Sequence, residues 1–273
     1  MPTFSLTDES LDQYHGDKSC IKSSMVRCFR RSPLLYHDTY IAGTVEQPQS
    51  DALTLGTLWH TVRELGWQGF LEAVTTLGPE HLTPSGAVST KKETRAFLAT
   101  CAEEGRVVVS TDQLKTLQAM EERFWKNVRA NAIEKGVERR ETSVRWECQR
   151  TGLILAVRPD ALSGTDIVDY KTTSDQNPRL TFARSVEKYG YDIADAMYSD
   201  GCWAAGLGTS AMTFVVTSTV APFETVVCRL SDSYRARAHS EYRMLLDDLA
   251  ARLKDDDWMP HGYGETVTIE ERR

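Results

Sequence analysis

The chain has 273 residues, of which 41% are apolar and 26% are charged, so it can bury one large core and does not resemble a disordered protein. Its net charge of −7 excludes a generally basic exterior, although a ligand senses the local field rather than the total charge. No window approaches the roughly 18 apolar residues that cross a bilayer, and the N-terminus lacks the features of a signal peptide, so we expect a cytoplasmic protein without membrane contact.

The first 140 residues are predicted to be mainly helical. A helix over about 19–31 ends before Pro33, whose ring cannot continue it. A second helix begins after Asp51 and ends near Gly66, because its apolar residues recur at helical spacing. Residues 75–110 are predicted to be mixed, with loops marked by Pro79, Pro84 and Gly86.

The elements after residue 110 are predicted from their apolar periodicity. A long helix places Leu114, Leu117, Phe124 and Val128 on one side. The elements that follow are three strands in a meander, a helical region, two strands and a final amphipathic helix: Thr142–Arg150, Leu153–Val157, Asp166–Lys171, Pro178–Leu207, Met212–Thr217, Glu224–Leu230 and Ala238–Leu253.

This order of elements predicts an α/β fold in which a mixed central sheet is flanked by helices. No linker rich in Gly, Ser or Pro divides the chain. We therefore expect one domain over 1–273, with a mainly helical part over 1–140 and the core over 141–273. Six scattered cysteines without a C-x-x-C pair favour reduced thiols over a disulfide framework.

Two carboxylates and an amine lie around a predicted hairpin. Apolar residues precede both Asp160 and Asp169, and Gly164 between them can be the first central residue of a type II′ turn. A turn centred between Gly164 and Thr165 places Asp160 opposite Asp169, with Cβ atoms roughly 5 Å apart. Lys171 is two residues beyond Asp169 and therefore emerges on the same face of the strand.

Two facing carboxylates repel each other, and a hard divalent cation with oxygen ligands relieves this repulsion. The arrangement therefore favours metal-assisted phosphodiester hydrolysis, in which Asp160 and Asp169 hold magnesium and Lys171 orients water or neutralises charge on the phosphate. A surface hairpin with solvated charges and an incidental salt bridge is the structural alternative.

Asp160 followed by Asp169-Tyr170-Lys171 resembles the signature of the PD-(D/E)xK nuclease superfamily. With Thr172-Thr173 and the segment 189–201, the chain resembles the RecE-type exonuclease, also called exonuclease VIII, and more broadly RecB-like and lambda-exonuclease-like enzymes. Further matching positions lie on both sides of this core: Ser23, Ser24, Met25, Ser32, Pro33, Tyr36, Leu55, Gly56, Thr57, His60, Glu141, Trp146, Gly152 and Trp258.

The resemblance implies a restriction-endonuclease-like core and a magnesium-dependent exodeoxyribonuclease in which manganese can substitute. Its substrate would be the ends of linear double-stranded DNA, digested 5′ to 3′ to leave a 3′ single strand for recombination by strand annealing. The implied partners are a RecT-type annealing protein and further copies of the chain in a homo-oligomeric ring. The implied source is a phage or prophage recombination module in a bacterial host.

The resemblance also assigns roles to single residues. The metal ligands that it implies are His60, Asp160, Asp169 and the backbone carbonyl of Tyr170. His60 ends a Gly56-x-x-x-His60 pattern, whereas a lone histidine on a helix is more often structural. Glu141 is a further catalytic candidate, with Glu147 as the competing choice on the same strand.

Candidate DNA contacts fall into two groups. The first group, near the hairpin, is Thr172, Thr173, Tyr191 and Arg158. Threonine is common in strands for structural reasons alone, and a tyrosine at helical spacing more often belongs to a core. Purely structural roles for these residues therefore stay open. The second group is a basic run near the N-terminus that could also be an ordinary solvated face: Lys18, Lys22, Arg27, Arg30 and Arg31.

One position departs from the pattern of the related nucleases, which carry a glutamine where this chain has Ala194, with Asp195 next to it. This departure leaves open a catalytically weak scaffold that binds DNA ends. A RecB-like enzyme that prefers single strands or cuts internally also remains open, because the motif does not encode polarity or strand preference. Cys20 and Cys28 are followed by no matching cysteine pair, so the iron–sulfur cluster of some RecB-type relatives is not expected.

Overall fold

A computed structural model of the chain describes residues 4–45, 55–85, 88–208, 211–260 and 262–266. Its strands are β1 (Phe4–Asp8), β2 (Ile21–Lys22), β3 (Val74–Thr76), β4 (Val107–Val109), β5 (Val137–Arg140), β6 (Thr142–Glu147), β7 (Ile154–Val157), β8 (Ala161–Ser163), β9 (Asp166–Thr173), β10 (Ala211–Ser218) and β11 (Thr225–Cys228).

The α-helices are α1 (Leu11–Gly16), α2 (Ser23–Arg31), α3 (Pro33–Tyr36), α4 (Leu55–Ala73), α5 (Lys92–Glu103), α6 (Thr111–Lys126), α7 (Val128–Lys135), α8 (Pro178–Tyr189), α9 (Tyr191–Ala204) and α10 (Asp232–Asp255). A π-helical turn over His37–Ile41 follows α3, and a 3₁₀ turn over Pro79–His81 precedes α5. None of the described helices is long and apolar enough to cross a membrane.

Two sheets contain most of the described strands. One has the order β1-β6-β7-β2, and the other has the order β11-β10-β9-β8-β5. In the second sheet β9 runs parallel to β10 and antiparallel to β8, so this sheet is mixed, as the order of elements predicts. Three strands from the first 140 residues, β1, β2 and β5, pair with strands of the later half.

The predicted three-strand meander is wrong. Strand β7 pairs with β6 and β2 in the first sheet, whereas β9 belongs to the second sheet. The partner of β9 in the hairpin is β8, a short strand that carries too few residues to give a clear periodic signal. The chain therefore changes sheets between Val157 and Ala161, and Asp160 lies in this crossing.

The predicted helices form, but several of them begin or end at other residues than predicted. Gly66 interrupts α4 at φ 70° and ψ 163°, a conformation that only glycine adopts readily, but helix resumes up to Ala73. Helix α5 lies within the region predicted to be mixed, where no single helix was assigned. Val128 was predicted on the apolar side of the long helix but is 85% exposed, because that helix ends at Asn127. The Asn127 side chain caps the next helix, α7, in which Val128 is the first residue.

Helix α9 lies between the two sheets and contacts β6, β7 and β10 as well as α10. Most of its residues are buried, since one side packs on Trp146 and the other on Phe214, while Trp203 near its end is exposed. A Cβ at Gly201 would lie 2.5 Å from the Trp146 ring, so glycine permits this close approach. The helix therefore fixes the two sheets against each other, with the hairpin at their junction. All six cysteines are free thiols.

Candidate functional site

The predicted hairpin forms with the predicted turn. Ser163 pairs with Asp166, and Gly164 takes φ 57° while Thr165 does not adopt a positive φ, which fits a type II′ turn. Ala161 pairs with Val168, so the next position in the register sets Asp160 opposite Asp169. The two carboxylates are brought together by a local turn and by the period of two along the strand.

Asp160 is held by both neighbouring segments. Its Oδ2 accepts a hydrogen bond of 2.7 Å from the Tyr170 amide and lies 3.5 Å from Nδ1 of His60 on α4. Burial raises the pKa of the Asp160 carboxyl, Asp169 raises it further, and His60 opposes the shift. A carboxylate in this position is therefore stabilised by positive charge, whether from the imidazole or from a bound cation.

Lys171 lies between a carboxylate and an aromatic ring. Its Nζ is 2.6 Å from Oδ2 of Asp169 and 5.2 Å from the centre of the Tyr191 ring. Burial alone would lower the pKa of Lys171, but Asp169 and Asp160 outweigh that effect and raise the pKa. The amine is therefore an ammonium at neutral pH, and its charge interacts with the carboxylates of Asp169 and Asp160.

Glu141 joins the same group from the start of β6. Its backbone amide donates to the Asp160 carbonyl over 3.3 Å, and its own φ is 52°, which is uncommon outside glycine. Burial raises the pKa of its carboxyl to about 8, with Asp160 adding to the shift and Arg158 opposing it. Glu147, the competing choice, lies near the other end of the strand and lines a different cavity with Arg150.

Arg158 has a different role from the predicted DNA contact. Its side chain is 8% exposed, and Nη1 lies 2.6 Å from Oε2 of Glu141. Its Nε donates to the Glu141 carbonyl over 3.0 Å, and Nη2 donates to the Glu9 carbonyl. The guanidinium therefore fixes Glu141 from inside, a burial that the sequence pattern does not reveal because Glu9 and Glu141 are far from it along the chain.

The two predicted threonines differ in their placement. Side chains alternate along a strand, so Thr173 shares the face of Asp169 and Lys171, whereas Thr172 shares the face of Tyr170. The carbonyl of Thr173 accepts from the Thr219 amide over 2.8 Å, which ties the end of β9 to the loop after β10. Thr173 is therefore the better placed of the two beside Lys171.

Ala194 and Asp195 both belong to the interior. Ala194 packs in an apolar cluster with Met212 and Phe214. Asp195 is fully buried; its Oδ1 accepts from the Met212 amide over 2.7 Å, and its Oδ2 lies 2.9 Å from Nε of Arg235. Asp195 therefore attaches α9 to β10 and cannot replace a missing polar side chain at the hairpin.

A basic groove opens near the hairpin, and the sequence indicated two of its cations, within the basic run, but not the groove itself. It is a cavity of about 540 Å³ lined in part by Arg27, Arg31, Lys188 and Tyr189, and the described lining contains no Asp or Glu. The Arg27 guanidinium lies 5.9 Å from the centre of the Tyr191 ring, and Lys171 lies 5.2 Å from the same point. One aromatic ring therefore contacts both a cation of the groove and Lys171.

The basic run near the N-terminus is divided by this geometry. Arg30 turns inward and pairs with Asp192 at 2.8 Å and Glu241 at 2.7 Å. Lys22 donates to backbone carbonyls, including that of Asp17. Only Arg27 and Arg31 of the run line the basic groove, because α2 presents residues four apart on one face.

The donor atoms at the hairpin suit a divalent metal in kind. Carboxylate oxygens are typical ligands of magnesium, and imidazole suits manganese. Oδ2 of Asp169 is buried and accepts no hydrogen bond from the described residues. The Lys171 ammonium lies 2.6 Å from this oxygen, as an ion-pair partner. Within the described residues, however, no three His, Cys, Asp or Glu side chains already converge as a formed metal centre.

Three comparisons place the chain among known proteins. Residues 23–268 match the family model described as "PDDEXK-like domain of unknown function (DUF3799)". The crystal structure of a "Putative exonuclease" from Eubacterium rectale matches with a TM-score of 0.63 over 98% of this chain and 97% of that one. Their sequence identity is 15%, so this likeness concerns the fold. No curated protein sequence matched. The chain therefore belongs to the family of PDDEXK-like domains of unknown function.

Proposed function

We propose that this protein is a metal-dependent nuclease that digests linear double-stranded DNA from its ends, 5′ to 3′. The observation that carries the proposal is the juxtaposition of Asp160, Asp169 and Lys171 around one hairpin, with His60 beside Asp160. PD-(D/E)xK nucleases generally use divalent metals, and membership in this family supports such chemistry here.

Asp160, Asp169 and His60 are the residues that would hold magnesium or manganese, with the Tyr170 carbonyl as the fourth proposed ligand. A bound metal would lower the pKa of water and neutralise charge on the phosphate. The ammonium of Lys171, fixed between Asp169 and the Tyr191 ring, would hold the attacking water or a phosphate oxygen. Glu141 would contribute a second carboxylate beside Asp160, held by Arg158.

The basic groove supports a nucleic acid as the substrate. The protein as a whole carries a charge of −7, yet the described groove wall has Arg27, Arg31 and Lys188 without an acidic side chain. Phosphate contacts supply most of the sequence-independent affinity for nucleic acid. A strand lying in this groove would contact Arg27, which shares the Tyr191 ring with Lys171.

Duplex ends as the substrate, the 5′ to 3′ polarity and the role in recombination rest on the resemblance to RecE-type exonucleases. The same resemblance supports a RecT-type annealing partner, a homo-oligomeric ring, and a cytoplasmic site of action in a phage or prophage system. Each of these is a separate part of the proposal and can be tested independently of the metal-dependent chemistry at the hairpin.

A linear duplex labelled separately at its 5′ and 3′ ends, incubated with magnesium, tests the proposal. We expect early release of the 5′ label, and a loss of about 10²–10³-fold in rate for Lys171→Ala, which removes one group that stabilises charge in the transition state. Closed circular duplex should stay intact. Intact linear DNA with both magnesium and manganese would refute the nuclease assignment, and early loss of the 3′ label would refute the polarity alone.

A single-strand preference is a second candidate, and Tyr189 favours it. Its ring is 48% exposed in the basic groove and could stack on an unpaired base, as tyrosines do in single-strand binding proteins. Arg31→Ala combined with Lys188→Ala should then reduce the slope of log affinity against log salt by about 0.7 per charge removed for single strands. Lys92→Ala, on α5 away from the groove lining, is the matched control. Faster digestion of single strands than of duplex would select this candidate.

A further inference from the structure

A buried polar cluster lies behind β9, on the face opposite Asp169 and Lys171. Side chains alternate along the strand, so Tyr170 points away from the two site residues that flank it. The cluster consists of two arginines, two glutamates and this tyrosine: Arg63, Glu121, Glu134, Arg140 and Tyr170. The proposed chemistry uses none of these side chains.

Glu134 is the member that contacts most of the others. Its Oε1 lies 2.7 Å from Nη2 of Arg140 and 3.5 Å from Nη1 of Arg63. Its Oε2 accepts the hydroxyl of Tyr170 in a short hydrogen bond. The Glu134 side chain is 7% exposed, so these contacts replace solvent around its charge.

Each partner of Glu134 is adjacent to a residue of the candidate site. Arg63 follows His60 by three residues on α4, which is about one helical turn. Arg140 directly precedes Glu141, and Tyr170 lies between Asp169 and Lys171 on β9. A single carboxylate on α7 therefore contacts the three segments that carry the site.

The arrangement costs more than an apolar one would. Taking charges out of water is unfavourable, and buried ion pairs are often no more stabilising than well-packed apolar residues of similar size. Arg63 is 2% exposed, and its guanidinium lies 4.6 Å from the Trp59 ring and 4.2 Å from the Phe124 ring. Unlike apolar packing, each ionic contact fixes the position of one particular atom relative to another. The cluster therefore holds its segments in one arrangement.

We infer that Glu134 is a positioning residue, which sets the spacing of His60, Glu141 and the Asp169–Lys171 pair through Arg63, Arg140 and Tyr170. This inference rests on the proposed metal-dependent function and adds to it the residue that holds the site together from behind. Partners of metal ligands typically change metal affinity 10- to 100-fold when they are removed.

Glu121 provides a matched control within the same cluster. It is buried, pairs with the same Arg63 and accepts a 2.7 Å hydrogen bond from Nε1 of Trp125. It lies on α6, which carries no residue of the candidate site, and no described contact joins it to Tyr170 or Arg140. A variant at Glu121 therefore reaches only the α4 segment, through Arg63, and leaves the segments of Glu141 and of Asp169 and Lys171 without a changed contact.

The test is calorimetric titration of manganese into the full-length protein without DNA, comparing Glu134→Gln, Glu121→Gln and wild type, with circular dichroism to establish folding. We expect manganese affinity about 10- to 100-fold lower in Glu134→Gln, and a smaller loss in Glu121→Gln, which reaches only the α4 segment. Tyr170→Phe, which removes one contact and keeps the ring, should weaken binding in the same direction by less. Equal effects of Glu134→Gln and Glu121→Gln, or no effect of either, would overturn the inference.

A second readout does not require a metal. In protein labelled with ¹⁵N-lysine, the backbone amide signal of Lys171 should move in Glu134→Gln and stay in place in Glu121→Gln, because Glu134 contacts Tyr170 directly before Lys171 and Glu121 does not. If the wild-type protein bound no manganese, the proposed function would fail, and the Lys171 signal would still decide the role of Glu134. An unchanged Lys171 signal in Glu134→Gln would overturn that role even in a protein that binds metal and cuts DNA.

Discussion

The two faces of strand β9 differ in how their charges are balanced. On the front face and its surroundings, the carboxyl groups of Asp160, Asp169 and Glu141 have Lys171 and Arg158 as their ion-pair partners among the described residues. On the back face, two arginines and two glutamates balance each other around the hydroxyl of Tyr170. Both faces are polar, yet the front face has more carboxyl groups than cations and the back face has equal numbers of the two.

This difference indicates what each face is for. Facing carboxylates repel each other, and burial raises the pKa of Asp160 because the charged form lacks sufficient compensation. An excess of this kind beside an open basic groove is typical of a site that receives a cation and a substrate. A balanced buried set has its partners already and instead fixes the segments that carry the site.

Asp160→Asn should produce the largest change, on the front face. We expect cleavage to fall by at least about 10³-fold, because a proposed metal ligand is lost while the Tyr170 amide keeps an oxygen acceptor. In EDTA, the melting temperature should stay the same or rise, since repulsion with Asp169 is removed. A drop in both activity and melting temperature would contradict the contrast between the faces.

Arg63→Met should destabilise the back face most. Removing one partner of a buried ion pair leaves Glu121 without its cation, whereas Glu134 keeps Arg140, and such a loss typically costs about 3–5 kcal/mol. Urea unfolding followed by fluorescence measures this loss. Adding Glu121→Leu should recover part of the free energy of unfolding, because the uncompensated charge is then removed. A single variant as stable as wild type would show that the cluster is not the rigid element we describe.

Gly190→Ala should have an intermediate effect at the joint between α8 and α9. Gly190 has φ 67°, where an added Cβ costs about 1–2 kcal/mol, and the new Cβ would lie 3.2 Å from Cγ of Arg27. Because Arg27 also faces the Tyr191 ring, we expect slower cleavage together with the lower stability. Gly164→Ala, also at positive φ but with open space around its Cβ, should lose stability without moving Arg27.

Tyr191→Leu should give the smallest of these effects. The ring contact with the Lys171 ammonium is worth about 0.5–2 kcal/mol, which corresponds to roughly a 2- to 30-fold loss of rate if it fixes the amine. Tyr191→Phe keeps the ring and should retain most of the activity. Equal losses in both variants would assign the effect to the hydroxyl rather than to the aromatic face.

The sequence by itself determined the parts of this protein that depend on short-range rules. The turn at Gly164 and the alternation of side chains placed Asp160, Asp169 and Lys171 around one hairpin, because a two-residue loop and a period of two fix the register locally. The order of elements likewise predicted a mixed sheet flanked by helices. The first result depends on residues within one hairpin, and the second depends on the type and order of the elements rather than on which strands pair.

Only the tertiary structure decided which strands share a sheet and which charges are exposed. Strand β7 pairs with β6 and β2 rather than standing beside β9, and Arg158 is buried against Glu141 and the Glu9 carbonyl. The separation of Arg30 from the basic groove and the contacts of Glu134 also join residues that are distant in the chain. Such pairings depend on which surfaces meet when the elements pack, and the identity of a residue and its immediate neighbours does not specify them.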